Sequence, residues 1–251
     1  LIAATGIEHA LVVPFTHRLA RMEAADFIRQ VLVERLEVRE VYIGNNFRFG
    51  ADRRGDVDLL VAMGRELEFD AGAAPVLSRG GEVVSSTRVR QAIADGRIDE
   101  VTEILGRFHF LDGEVLEGKR LGRRLGFPTL NLALANELVP ANGVYVTVVH
   151  IPSFRRMFPS VTNIGVRPTI YEGSVVTVES HLLDFTADIY GESVRLYLLR
   201  RLREERQFSG PVQLMAQIRR DVEAARLWFL GRPVDSLELV LQEKSNRLRE
   251  L

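Results

Sequence analysis

FHFLDGEVLEG, residues 108–118, marks a change of rhythm in the chain. It has the length of a single strand, and the runs after it are again strand-length, separated by turn residues rather than helices: 143–151, 155–164, 175–185 and 193–200. Hairpin and barrel folds are built this way. Upstream the rhythm differs. Ala25 to Leu36 (ADFIRQVLVERL) puts Phe27, Ile28, Val31, Leu32 and Leu36 on one helical stripe, and Glu40 to Gly44 (EVYIG) then reads as a short buried strand. Asp56 to Glu66 is helical in pattern; Ser86 or Ser85 can cap a helix through Ala94 that Gly96 stops. Strand alternating with helix predicts an open, mostly parallel α/β sheet, which binds ligands at the carboxyl ends of its strands. The chain therefore reads as α/β plus β: an α/β domain over 1–106, a β domain over 107–232 and a tail over 233–251. Leu214, Ile218, Val222 and Ala225 recur at helical spacing and predict a closing helix with a core-facing stripe.

Composition narrows the function. The 251 residues are 46% hydrophobic and 27% charged with a net charge of −1, the profile of a soluble globular protein with no polyanion or nucleic-acid partner. The longest apolar run, GVYVTVVH, is far short of a membrane span, and no basic-then-apolar signal segment opens the chain. The expected compartment is the cytoplasm, with no membrane partner and the oligomeric state left open. With no cysteine, disulfides, thiolate nucleophiles and cysteine-ligated zinc are excluded, and five scattered histidines show no metal-ligand spacing. Any metal is expected to be a hard cation on oxygens, as magnesium usually is.

Several short constellations carry polar chemistry. GRRLGFPTLNL (122–132) packs glycines, a Thr and an Asn behind two arginines, which suits either an anion-binding loop or a solvated loop leading into a strand. NNFRFGADRRGD (45–56) follows a strand end, so Asn46, Arg48, Arg53 and Arg54 are candidates for substrate binding; alternatively, it is a connection with Phe47 and Phe49 in the core. In VSSTRVRQAI, helix-end amides with Ser86, Thr87 and Arg88 favour a phosphate seat over simple capping. Period two along VESHLLDF places Glu179 and His181 on one face, opposite Val178 and Leu182. A carboxylate facing a barrel interior needs a partner or a role such as general base, although a surface or salt-bridged glutamate is the commoner fate. LRRLREERQF (199–208) is a charge run, either a solvated face or a ligand flap.

Taken in series, NFRFG…RRGD, SSTRVR, GRRLGFPTLNL, PANGVY, NIGVRPT, ESHLLDF…DIYGE and LRRLREERQF resemble the bacterial bifunctional riboflavin kinase and FMN adenylyltransferase family, also called FAD synthetase. The resemblance implies a Rossmann-like nucleotidyltransferase domain followed by a six-stranded antiparallel riboflavin-kinase barrel with a C-terminal helix. It implies ATP, riboflavin and FMN as substrates and products, with Mg2+ as cofactor. The family's PTAN motif falls on Pro128, Thr129, Leu130 and Asn131, where Thr129 and Asn131 would contact magnesium and the ATP phosphates; Leu130 replaces the family's alanine. Glu179 would be the base for the ribityl 5′-hydroxyl. Gly118, Lys119, Gly122 and Gly126 would close over ATP with Pro128, and Arg203, Glu205 and Phe208 would lie on the flavin side. Asn46, Arg48, Ser86, Thr87 and Arg88 would serve phosphate or flavin in the adenylyltransferase half. The family's HxGH-type opening motif is not found, and His9 and His17 do not form one. A chain truncated at its N-terminus, with a competent kinase half and weak adenylyl transfer, is the resulting expectation. Two other readings remain beside it: a nucleotidyltransferase joined to a barrel that only binds flavin, and a noncatalytic flavin-binding regulator.

Overall fold

A computed structural model of the chain describes residues 2–118, 122, 125–169, 173–234 and 237. The chain forms two units, Glu8–Val84 in one, Ser85 onward with Leu1–Ile7 in the other.

In the first unit, β1 (Glu40–Gly44) pairs in parallel with β2 (Asp70–Ala74). A helix on each side of β1 in the chain supplies the core. α1 begins at Ala24–Asp26 and continues over Phe27–Val33 as a π-helix. α2 (Val57–Leu67) starts where the Asp56 carboxylate accepts the Leu59 N–H at 2.9 Å. Ile28, Leu60, Met63 and Phe69 are buried together between them. The predicted stripe on α1 holds for Ile28 and fails at Leu36, which is exposed. The cause is the wider winding: amides reach five residues back, from Glu34 to Arg29 and from Leu36 to Val31, so a 3.6-residue stripe drifts off the buried face. A two-stranded hairpin, β3 (Ser78–Arg79) with β4 (Glu82–Val83), ends the unit.

In the second unit, α3 (Ser86–Ala94) and α4 (Ile98–Leu105) lead into a closed antiparallel barrel. Its strands are β5 (His109–Leu116), β6 (Leu130–Leu134), β7 (Gly143–Ile151), β8 (Arg156–Thr169), β9 (Gly173–Leu182) and β10 (Ser193–Arg203), in spatial order β10-β5-β6-β9-β8-β7. β6 is the strand that the rhythm of the sequence did not separate from the glycine-rich loop before it. All six strands send side chains into one interior cluster that includes Leu111, Leu132, Tyr145, Ile164, Val178 and Leu196. Ile98 of α4 joins that cluster, so the helix belongs physically with the barrel. Inside, Thr147, Ser160, Thr162 and Ser180 are fully buried and bond to one another at 2.7–3.0 Å, which satisfies their hydroxyls.

The last helix, α5 (Pro211–Leu230), lies on the outside of the barrel, where Ala225, Val222 and Trp228 meet Val144, Val146 and Val148. β7 is thus buried on both faces, which is why its sequence is one continuous apolar run. This also corrects the face of Glu179. Val178, Ser180 and Leu182 point into the barrel, so Glu179 and His181 lie on its outer side, the side α5 covers. Among the described residues no helix is long and apolar enough to cross a membrane.

Candidate active site

Strand register assembles the site. The pairs Leu116↔Asn131, Asn131↔Glu179, Asn163↔Glu179, Val144↔Asn163 and Arg203↔Val144 form one continuous row across β5, β6, β9, β8, β7 and β10. Directly paired residues project to the same side of a sheet, so Asn131, Glu179, Asn163 and Arg203 share the outer face. They floor a cavity of about 290 Å³. Its roof is Leu214, Ile218 and Val222 of α5, so three members of the predicted stripe cover a cavity and only Ala225 is fully packed. Phe127, Phe208 and Arg206 also line it.

A second cavity of about 240 Å³ is lined by Gly118, Pro128, Leu130 and the segment from Phe185 to Tyr190. Thr129 and Asn131 line both cavities. Two ligands seated one in each would therefore meet at these two side chains, with Glu179 on the side of the larger cavity.

The glycines make close approaches. A Cβ on Gly118 would collide with the Asn131 amide, and one on Gly122 would collide with the Phe127 carbonyl and come within 3.1 Å of Thr129 Oγ1. Gly126 has φ +83°, a conformation that L side chains avoid. Gly122 lines the larger cavity rather than the smaller one; Gly126 lines neither. Lys119 lies outside the described residues, as does most of the 233–251 tail.

On the other rim, Arg203 is pinned. Its Nε donates to Asp221 Oδ1 at 3.0 Å and its Nη2 to Asp221 Oδ2 at 2.8 Å, while Gln217 Nε2 donates to the same carboxylate at 2.9 Å. The Arg203 guanidinium also stands 5.9 Å from the Phe208 ring centre. Glu205 Oε2 accepts from Asn142 Nδ2 at 3.1 Å, and its carboxylate presses on Gly165 of β8, where any Cβ would strike it. Glu205, Arg203 and Phe208 all line the larger cavity, so the charge run that begins in β10 and continues past its end reaches the site through them.

His181 projects beside Glu179. Its Nδ1 lies 2.8 Å from the Pro128 carbonyl oxygen, and its ring meets Phe127 edge-on with centroids 5.6 Å apart. Asn163, Arg206 and Asp221 complete the lining without having been singled out in the sequence. NIGVRPT did signal the Asn163 segment, but its position opposite Glu179 depends on the β8–β9 register, which no local pattern states.

The remaining candidates belong to two different units and are described separately. In Glu8–Val84, the loop after β1 turns on a Phe47 N–H to Gly44 carbonyl bond of 2.9 Å and closes through the Phe49–Gly55 bridge. Arg48 Nη1 donates to the Phe47 carbonyl at 3.2 Å, and Asn46 is exposed in the same turn. Phe49 packs into the core; Phe47 is half exposed, so the core reading of this loop holds for one ring. In the other unit, the Ser85 hydroxyl caps α3 by accepting the Arg88 N–H. Ser86 and Thr87 follow in the first turn, and Arg88 Nε donates to Glu100 Oε1 of α4 at 3.1 Å. Capping is therefore done by Ser85, and Arg88 is held by a carboxylate.

The chain resembles known proteins along most of its length. The Flavokinase family, riboflavin kinase, matches residues 105–229, and the FAD_syn family, FAD synthetase, matches residues 1–88. The chain is 39% identical over 228 residues to the bifunctional riboflavin kinase/FMN adenylyltransferase of Escherichia coli (strain K12), covering 91% of this chain and 72% of that one. The enzyme of the same name from Pseudomonas fluorescens is 39% identical over 221 residues, 88% and 70% of the two chains. A crystal structure described as a macrolide-efflux protein from Streptococcus pneumoniae superposes with a TM-score of 0.76 at 30% identity, covering 84% of this chain and 67% of that one.

Proposed function

Because this chain belongs to the bifunctional riboflavin kinase/FMN adenylyltransferase family, a family of transferases that convert riboflavin to FMN and FMN to FAD, we propose which of its residues perform the kinase step. The flavin occupies the larger cavity under α5, against Arg203, Glu205 and Phe208, and ATP the smaller one, against Gly118 and Pro128. Glu179 takes the proton from the ribityl 5′-hydroxyl. The freed oxygen bonds to the γ-phosphorus as the bond to the β–γ bridging oxygen breaks, and ADP leaves. The observation that carries this reading is that Thr129 and Asn131 line both cavities while Glu179 lines the flavin one.

Magnesium fits the donor set. Among the described residues no cluster of three His, Asp or Glu side chains is placed to hold a metal by itself. Thr129 and Asn131 offer neutral oxygens, which suit a hydrated hard cation arriving with the nucleotide phosphates. When bound, it would neutralise phosphate charge, while this chain's own residues bring hydroxyl and phosphate together and exclude water beneath α5.

In the other half, Asn46, Arg48, Ser86, Thr87 and Arg88 are assigned to phosphate or flavin in FMN adenylylation; Arg88 reaches that role by sharing or leaving Glu100. The functional division assigned is 1–106 for adenylyl transfer and 107–232 for the kinase, with 233–251 as a tail. A cytoplasmic location with no membrane or nucleic-acid partner accompanies it; the near-zero net charge supports the lack of a nucleic-acid partner.

Glu179→Gln tests the kinase reading. The variant is expected to quench riboflavin fluorescence with unchanged affinity while FMN formation falls about 10²- to 10⁴-fold. Wild-type turnover by this variant overturns the assignment of the base.

A further inference from the structure

We propose that His181 is a positioning residue for the nucleotide and its metal, holding Thr129 in place through the backbone carbonyl of Pro128. The proposal rests on the reading of Thr129 given above. β6 enters the barrel ladder only at Leu130, opposite Ser180 of β9. The segment just before it has no strand pairing, and Pro128 has no N–H to donate. The Phe127 N–H bonds back to the Gly122 carbonyl at 2.8 Å, and beyond that turn a side chain ties the segment to the neighbouring strand: His181 Nδ1 lies 2.8 Å from the Pro128 oxygen. A carbonyl oxygen only accepts, so the hydrogen sits on Nδ1, and the partner fixes the tautomer.

The same ring abuts Phe127 edge-on, so residues 127 and 128 both rest on one side chain from the neighbouring strand. Thr129 is thereby caught between two fixed points, the His181–Pro128 bond and the first ladder pair. It stands where the two cavities meet. A hydroxyl meant for a phosphate-bound cation must be fixed to within a fraction of an ångström, and such precision comes from the groups that support the ligand-bearing residue. His181 also lines the larger cavity beside Glu179; towards Thr129 it acts through the Pro128 bond and the Phe127 contact.

The test separates the hydrogen bond from the ring. Asn carries its side-chain nitrogen where His carries Nδ1, whereas Phe keeps a ring and offers no donor. Calorimetry with Mg·ADP as the probe is expected to give a Kd about 3- to 10-fold weaker for His181→Phe, the range of one net hydrogen bond, and a Kd within about 2-fold of wild type for His181→Asn. KM for ATP should rise in the Phe variant and stay near wild type in the Asn variant; because His181 also lines the flavin cavity, Mg·ADP is titrated in the absence of riboflavin. His181→Leu, which also lacks a donor, serves if the Phe variant does not fold. Unchanged Mg·ADP binding in the donor-less variant overturns the inference, as does an Asn variant equally impaired. Thr129→Ala measured alongside keeps the two readings apart. If it weakens Mg·ADP and the donor-less His181 variant does not, only the role of His181 fails; if it also binds normally, the assignment of Thr129 fails first.

Discussion

His109 shows how one side chain can set a pH limit. It starts β5 next to the barrel interior, paired with Leu198, and its Nε2 is buried without a hydrogen-bond partner. Burial, and then the Arg107 charge beside it, lower its pKa from 6.5 to about 4. The folded state therefore binds a proton less readily than the unfolded chain. Its contribution is fully present above pH 6.5 and is lost as pH falls from 6.5 towards 4, by about 2 kcal/mol between pH 7 and pH 5. His109→Phe should lose less stability over that interval than the wild type, read from urea midpoints by the fluorescence of Trp228, the chain's one tryptophan. Equal losses would remove His109 as the cause. Gly165 acts at the same scale. Gly165→Ala meets only the flexible end of Glu205, so stability should change by less than about 1 kcal/mol, while on the proposed reading riboflavin affinity falls, because a carboxylate lining the larger cavity is displaced. A large drop in stability with normal flavin binding would refute this.

Between elements, the decisive tie is from β10 to α5. The Arg203 and Asp221 side chains are only 14% and 7% exposed, so each charge depends on the other for compensation. Asp221→Ala strands the guanidinium and should cost about 3 to 5 kcal/mol, together with the roof of the larger cavity. Replacing both, with Arg203→Met and Asp221→Leu, should cost clearly less in stability because no buried charge is left, while flavin binding stays impaired. Thermal unfolding of the three proteins followed at Trp228 distinguishes these outcomes; a double variant as unstable as the single would show that the pair does more than cancel charge. The elements themselves were unevenly legible. α5 was, because its apolar residues recur at 3.6. α1 was less so, because π winding changes the period, and β6 was hidden because the glycines before it dominate the local pattern.

For the molecule as a whole, the place where the chain divides has mechanical consequences. α4 contributes Ile98 to the barrel interior, and Gly96, with φ +71°, turns the chain where a Cβ would strike the Tyr145 hydroxyl. A fragment starting at Ser85 should thus be more stable than one starting at Arg107 by about 2 to 5 kcal/mol, the cost of vacating a buried isoleucine site. Denaturant titration of the two fragments checks this, and equal stability would mean that α4 is dispensable to the barrel.

By itself the sequence determined the change from α/β to β architecture, the cap region of α3, the family and several of the segments that line the cavities, because periodicity, capping and short motifs are local and survive in one dimension. Tertiary structure alone decided which face of β9 is inside, that Asn163 and Arg203 stand in the same row as Glu179, and that His181 holds Pro128. Those facts follow from strand register and from where α5 lies, and both are settled by pairing between residues tens of positions apart, where closing the barrel and burying its two apolar clusters leave one arrangement.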